Sequence, residues 1–260
     1  MGKYPEIEAV LAGKSDGCII HGDCLQVLDA IPTDTITLVA TSPPYFVGKP
    51  YEKGTQWDEF LSLVTGFVSK SSPLLKQGGY LFVNFSENYN KPVIMAEVYR
   101  KAAVDAGLMW FSYRIWQRPA KRFVYQWNSP RPVGEIEFLY TFRKGNKNYK
   151  MRARRISEQC LWKTGSPKNP QHPAPFPVEL IRKPIIIYTD EGDVVVDPFC
   201  GSGSTCVAAK MLGRRYIGIE LDKDYVDITK ERLDKTQRPL RINLPEPKPI
   251  ARNLFSDKEQ

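Results

Sequence analysis

Short apolar runs alternate with stretches of helical spacing from residue 17 to residue 235, and this alternation predicts most of the elements. Gly17–Gly22 reads as a short strand ending at Asp23, followed by a helix over Cys24–Ala30. The mostly apolar run Thr35–Ala40 has the composition of a strand buried on both faces, as in a parallel sheet. Phe60, Leu61, Val64, Phe67 and Val68 recur at helical spacing and predict a helix over Trp57–Leu75. Gly78-Gly79 then turns into a strand, Tyr80–Phe85, and a helix over Pro92–Ala106 stops at Gly107. Strands are expected over Met109–Gln117 and, as one long strand or a pair, over Val133–Arg143. The alternation resumes with helices over Pro177–Tyr188, Ser204–Leu212 and Tyr225–Lys235 and strands over Val194–Asp197 and Tyr216–Leu221. Residues 1–17 read as an entry segment, Val47–Gln56 as a polar loop, Asn146–Gln171 as aperiodic, and the Pro-containing residues 239–260 as a tail.

Strands alternating with helices predict an α/β fold with a parallel or mixed, doubly wound sheet. A length of 260 residues suits one domain with an insertion. No stretch approaches the apolar length of a membrane span. The five cysteines (Cys18, Cys24, Cys160, Cys200, Cys206) form no CxxC pair or metal-ligand spacing, as expected of reduced thiols in a cytoplasmic, metal-free protein. The net charge of +8 is concentrated in Arg118-Pro-Ala-Lys-Arg122 and in Lys144, Lys147, Lys150, Arg152, Arg154 and Arg155. Such a patch suits a polyanion such as nucleic acid, although charge runs are often no more than solvated surface.

Two motifs carry chemistry. Ser42-Pro43-Pro44-Tyr45 follows the Thr35–Ala40 strand. Two prolines offer no backbone N–H, so strand pairing stops and a stiff extended turn sits where the sheet ends. In open α/β sheets that is where ligands bind. A hydroxyl before the prolines and a ring after them suit an aromatic base carrying an exocyclic amine. The second motif, Val194-Val-Val-Asp-Pro-Phe-Cys-Gly-Ser-Gly-Ser-Thr205, is a strand, a Gly-rich turn and a helix start. Gly201 and Gly203 would let the backbone approach a ligand closely, and Ser204 or Thr205 would cap the helix. It is neither a P-loop nor the GxGxxG fingerprint. The next strand ends in Glu220, at the spacing of an acid that hydrogen-bonds a ribose diol.

Asp197-Pro-Phe-Cys-Gly-Ser-Gly-Ser-Thr205 together with Thr41-Ser-Pro-Pro-Tyr45 closely resembles the bacterial DNA amino-methyltransferases that use S-adenosylmethionine. The order, catalytic motif first and cofactor glycines last, resembles their permuted beta group. The resemblance runs from about Cys18 to Leu233 and includes Gly22-Asp23-Cys24, Gly78-Gly79-Tyr80, Glu137-Phe138-Leu139, His172-Pro-Ala-Pro-Phe-Pro177 and Arg214-Arg-Tyr-Ile-Gly-Ile-Glu220.

The resemblance implies a doubly wound, mostly parallel seven-stranded methyltransferase sheet. Its catalytic half is 18–145, with a DNA-contacting loop at 118–131; a small target-recognition insertion is 146–171, the cofactor half 172–238 and the tail 239–260. It implies direct methyl transfer to an amine of a base flipped out of double-stranded DNA, with Ser42 and the Pro43 carbonyl accepting its N–H groups, Pro44 stiffening the turn and Tyr45 stacking on the ring. The cofactor would be held by Asp23, Phe176, Asp197, Phe199, Gly201, Gly203, Ser204, Thr205 and Glu220. A helix cap is the plain alternative for Asp23, as are a strand-end cap for Ser42 and a core ring for Tyr45. DNA contacts are expected from Arg118, Lys121, Arg122, Arg131, Lys150, Arg152, Arg154 and Arg155. No cysteine follows a proline, which excludes the thiolate chemistry of carbon-5 methylation. Ser before Pro-Pro-Tyr points to cytosine-N4, with adenine-N6 as the alternative and a catalytically silent DNA-binding relative as a minor one. RNA or protein amino-methylation would call for Asn-Pro-Pro-Tyr. A homodimer and a cognate restriction endonuclease are further candidate partners.

Overall fold

The structure, a computed structural model, describes residues 3–46, 54–87, 93–118, 136–145, 160–164 and 177–237. In chain order its elements are α1 (Pro5–Leu11), β1 (Gly17–His21), α2 (Cys24–Leu28), β2 (Ile36–Thr41), α3 (Trp57–Leu74), β3 (Leu75–Phe85), α4 (Met95–Asp105) and β4 (Met109–Gln117). There follow β5 (Ile136–Arg143), β6 (Leu161–Lys163), α5 (Val178–Tyr188), β7 (Val194–Asp197), α6 (Ser204–Met211), β8 (Arg215–Glu220) and α7 (Lys223–Lys235).

The strands whose residues are buried on both faces take the centre: every residue of β2 and of β7 is buried. The sheet order is β1-β8-β7-β2-β3-β5-β4-β6. All neighbours pair in parallel except β5, which runs antiparallel to both β3 and β4. Alternate strand residues face opposite layers, as the pleat requires. Val39, Leu81, Val83, Val196 and Ile217 pack among residues of α1 to α4. Leu38, Ala40, Phe82 and Val195 pack among residues of α5, α6 and α7.

The doubly wound, mostly parallel sheet is therefore present, with eight strands described rather than seven. The added strand is β6, which lies in the stretch expected to be aperiodic and pairs in parallel with the end of β4. The entry segment contains α1, whose Pro5 stands in the first turn and whose Ile7 and Val10 are buried. Gly78-Gly79 does make a turn, but as an interruption inside a longer strand. β3 pairs with Ile36 through Leu75, bulges, and resumes against Leu38 at Tyr80. Gly79 is required there, since a Cβ would stand 2.9 Å from the Lys76 carbonyl oxygen.

Candidate active site

β2 and β7 are parallel neighbours, and the chain winds outward from them in opposite directions, to β3 on one side and β8 on the other. That is a topological switch point, where the carboxyl ends of two strands leave a crevice. Asp197 ends β7 and Thr41 ends β2, so the two predicted motifs meet there despite lying 156 residues apart. Thr41 Oγ1 donates a 2.6 Å hydrogen bond to Asp197 Oδ1.

On the β7 side, the turn is held largely by backbone donors. Asp197 is buried, and the Phe199 amide also donates to its Oδ1, at 3.1 Å. Burial pushes its carboxyl up to about 6, against hydrogen bonds from Thr205, Thr41 and the Phe199 amide that lower it. Glu220 ends β8 and accepts from the Gly201 amide at 2.6 Å and, through its other oxygen, from the Asp222 amide at 2.9 Å. Burial raises its carboxyl as well. Gly203, left-handed at φ 84°, is the residue that caps α6, without a side-chain bond, so the expected capping by Ser204 or Thr205 does not occur. The side chain of Thr205 turns back to Asp197 instead. A Cβ on Gly203 would stand 2.5 Å from Thr229 Cγ2, so this glycine admits α7. Cys200 and Cys206 are buried with sulfurs 3.6 Å apart, as packing residues would be.

β1 pairs with β8 so that His21 lies opposite Glu220, which brings Asp23 to the same edge. Its Oδ1 caps α2 through the Leu25 amide at 2.8 Å, the plain role named above. Phe176, His172 and the tail lie outside the described residues, as do Lys121, Arg122, Arg131, Lys150, Arg152, Arg154 and Arg155 and most of Val47–Gln56.

On the β2 side, the turn after Thr41 places a half-buried Ser42 with Oγ 2.8 Å from the Tyr45 hydroxyl. The chain then reverses at Phe46, whose φ of 56° is unusual for a side chain of this size. The Phe46 ring packs on Trp57 and Phe60, at 5.2 and 5.3 Å, which holds the strained turn in place. Tyr45 Oη donates to Glu137 Oε2 at 2.8 Å. Asn84, from β3, donates through Nδ2 to Tyr45 Oη, to Glu137 Oε2 and, at 3.4 Å, to Ser42 Oγ. Arg118, expected on DNA, pairs with Glu137 Oε1 at 3.3 Å. Three strand ends thus build one pocket, and sequence reasoning assigned no role to Asn84 or Glu137. The signal was a charge at a core position: Glu137 is buried in an otherwise apolar stretch of β5. Burial and the Glu137 charge hold the Tyr45 phenol well above its ordinary range. A buried acceptor pocket beside a glycine turn flanked by two carboxylates can hold an amine-bearing ring next to a cationic, ribose-bearing cofactor.

A family model described as DNA methylase, of the N6/N4 class, matches residues 36–231. The type II methyltransferase M.BglI of Bacillus subtilis is 28% identical, the alignment covering 82% of this chain and 84% of that protein. The structure of a DNA modification methylase from Thermus thermophilus, TTHA0409, complexed with S-adenosyl-L-methionine, is 26% identical with a TM-score of 0.66 over 84% of this chain and 95% of that one. The cytosine-N4-specific PvuII DNA methyltransferase shares the fold, with a TM-score of 0.71 and 24% identity over 89% of each chain.

Proposed function

The chain belongs to the N6/N4 DNA methylase family and uses S-adenosylmethionine as its cofactor, and we propose that it methylates the exocyclic N4 of cytosine flipped out of duplex DNA at a specific site. The observation that carries this reading is the Thr41–Asp197 hydrogen bond, 2.6 Å long, which fastens the Ser42 pocket to the glycine turn. Acceptor and donor substrates are thereby held against the same pair of strand ends, and positioning of this kind supplies much of a transfer reaction's rate.

The residues present fit the cofactor. Glu220 is pre-aimed by two backbone amides, with lone pairs left for a ribose diol. Asp197, buried and reluctant to ionise, suits the neighbouring positive charge of the methionine ammonium. Phe199, Gly201, Gly203, Ser204 and Thr205 frame the turn, while Asp23, beside Glu220 across β1, and Phe176 complete the set. S-adenosylmethionine supplies an electrophilic methyl carbon. Ser42 Oγ and the Pro43 carbonyl accept the amine's N–H groups and favour its pyramidal, nucleophilic form; Tyr45 supplies a ring beside the base. The catalytic motif preceding the cofactor turn in the chain corresponds to the permuted beta group.

Ser42 in place of an aspartate supports cytosine over adenine. A neutral acceptor would also serve an adenine amine, so one experiment decides. Labelled S-adenosylmethionine and unmethylated DNA are incubated with the protein, the DNA is digested to nucleosides, and the labelled nucleoside is identified. N4-methylcytosine is expected; N6-methyladenine moves the assignment to adenine, and label on neither overturns it.

A further inference from the structure

The hydrogen bonds of the acceptor pocket have a direction, and one buried carboxylate sets it. Glu137 is 4% exposed and paired with Arg118; a carboxylate accepts and does not donate. Tyr45 Oη therefore donates its only proton to Glu137 Oε2 across 2.8 Å. Toward Ser42 the phenol oxygen is left as an acceptor, so Ser42 Oγ donates its only proton to Tyr45, also across 2.8 Å. Asn84 is oriented by the same carboxylate. Its amide nitrogen meets Glu137 Oε2, Tyr45 Oη and Ser42 Oγ, and the flipped amide would set its carbonyl oxygen against a carboxylate oxygen. Every proton of the network points inward to Glu137. Ser42, half-buried at the end of its strand, presents only lone pairs to a group entering from the crevice.

This matters for an amine nucleophile. If Ser42 accepts an N–H, the nitrogen lone pair stays free for the methyl carbon. If Ser42 instead donates to the nitrogen, it occupies that lone pair and opposes the reaction. The raised Tyr45 phenol is consistent with a group kept protonated as the link. We propose that Glu137 is a positioning residue that holds Ser42 as a hydrogen-bond acceptor toward the exocyclic amine of the target base. This rests on the amine-methylation reading above and deepens it. Glu137 acts through Tyr45 and touches no substrate. Through Arg118 it also joins the pocket to the segment that leads toward residues 119–131.

Glu137→Gln is the informative change, because glutamine fills the same volume but can donate, so the chain can reverse and leave Ser42 a donor. Transfer of label from S-adenosylmethionine to unmethylated plasmid and phage DNA is measured for the wild type, Glu137→Gln, Tyr45→Phe and Ser42→Ala, and for the doubles carrying Glu137→Gln. Cofactor affinity is measured on each by calorimetry. Glu137→Gln should lower kcat on the order of 10- to 100-fold, with KM for DNA and the cofactor Kd within about twofold of wild type. In the Ser42→Ala and Tyr45→Phe backgrounds the same change should cost less than about threefold, since a residue acting through others loses its effect once they are gone. A purely structural role would multiply through both backgrounds, and that result overturns the proposal. Should Glu137→Gln fail to fold, Tyr45→Phe deletes only the linking hydroxyl and must show the same kcat loss; full kcat in Tyr45→Phe overturns the proposal. A wild-type chain that labels no DNA overturns the functional reading itself, whereas wild-type transfer with an equally active Glu137→Gln overturns this inference alone.

Discussion

The two sides of the crevice are built differently. The β7 side is a local structure: Asp197, the glycine turn and the start of α6 are contiguous, and its carboxylates are fixed mainly by backbone amides of Phe199, Gly201 and Asp222. The β2 side is assembled from side chains of separate strands, Ser42 and Tyr45 after β2, Asn84 from β3 and Glu137 from β5. A ligand's constant parts suit a backbone cradle, whereas directing one proton on one amine needs donors and acceptors whose order is set by side-chain chemistry. The difference predicts that damage will separate by observable: rate on the β2 side, cofactor affinity on the β7 side.

The largest expected effect tests the β2 side. Ser42→Ala removes the acceptor and should lower kcat about 10²–10³-fold, the loss typical of deleting one preorganised polar contact at a reacting group, with cofactor Kd unchanged. Retained turnover with lost cofactor affinity would erase the contrast between the two sides. Next comes Glu220→Ala on the β7 side. Loss of a charged hydrogen-bonding partner, about 1.5–3 kcal/mol, should weaken cofactor Kd roughly 10- to 100-fold in a titration followed by calorimetry, while kcat at saturating cofactor stays near wild type. An unchanged Kd would remove Glu220 from the cofactor site.

The same contrast explains what the sequence made legible. The β7–α6–β8 unit could be read because its parts are adjacent in the chain and Glu220 follows at a fixed spacing. Ser42 and Tyr45 could be read for the same reason. Asn84 and Glu137 act only because β3, β5 and the β2 turn converge, and nothing in the runs around them reports that convergence except a charge in an apolar strand. The three-residue β6 is too short for periodicity; Trp162 is buried there by pairing with β4 rather than by any local pattern. Capping by Gly203 was missed because side-chain caps are the commoner choice, while here the Thr205 hydroxyl is drawn to Asp197 and the left-handed turn needs a glycine under Thr229.

A smaller effect is the pH dependence of cofactor affinity. Asp197 is raised from 3.8 to about 6 in the folded chain, chiefly by burial. The folded state therefore holds this proton more tightly than the unfolded one, and the stability it contributes is full below about pH 4 and is lost as pH rises through about 6. Cofactor binding runs the other way, because a cationic ammonium favours the ionised form. Between about pH 5 and pH 7 the affinity should rise up to about tenfold, the change in ionised fraction across that window, with Asp197→Asn showing a flat profile. A profile of equal slope in Asp197→Asn would assign the titration elsewhere.

The smallest expected effect lies in the bond that joins the two sides. Thr41→Val keeps the shape of a fully buried residue and deletes the hydroxyl that donates to Asp197 Oδ1 at 2.6 Å. The Phe199 amide and Thr205 still donate, so the carboxylate is weakened rather than orphaned. Removing one donor to the charged form, worth about 1.5 kcal/mol, should move the Asp197 midpoint upward by about one pH unit. Cofactor affinity should then match wild type above about pH 8 and fall several-fold near about pH 6. If the hydrogen bond also aligns the two strand ends, kcat at saturating cofactor should drop with it by a factor of about two to five, a coupling no cofactor-side residue away from β2 would show. A shifted midpoint with unchanged kcat would mean that Thr41 only tunes Asp197 and that the two sides keep their alignment through the β2–β7 pairing, Leu38 with Val195 and Val39 with Val196.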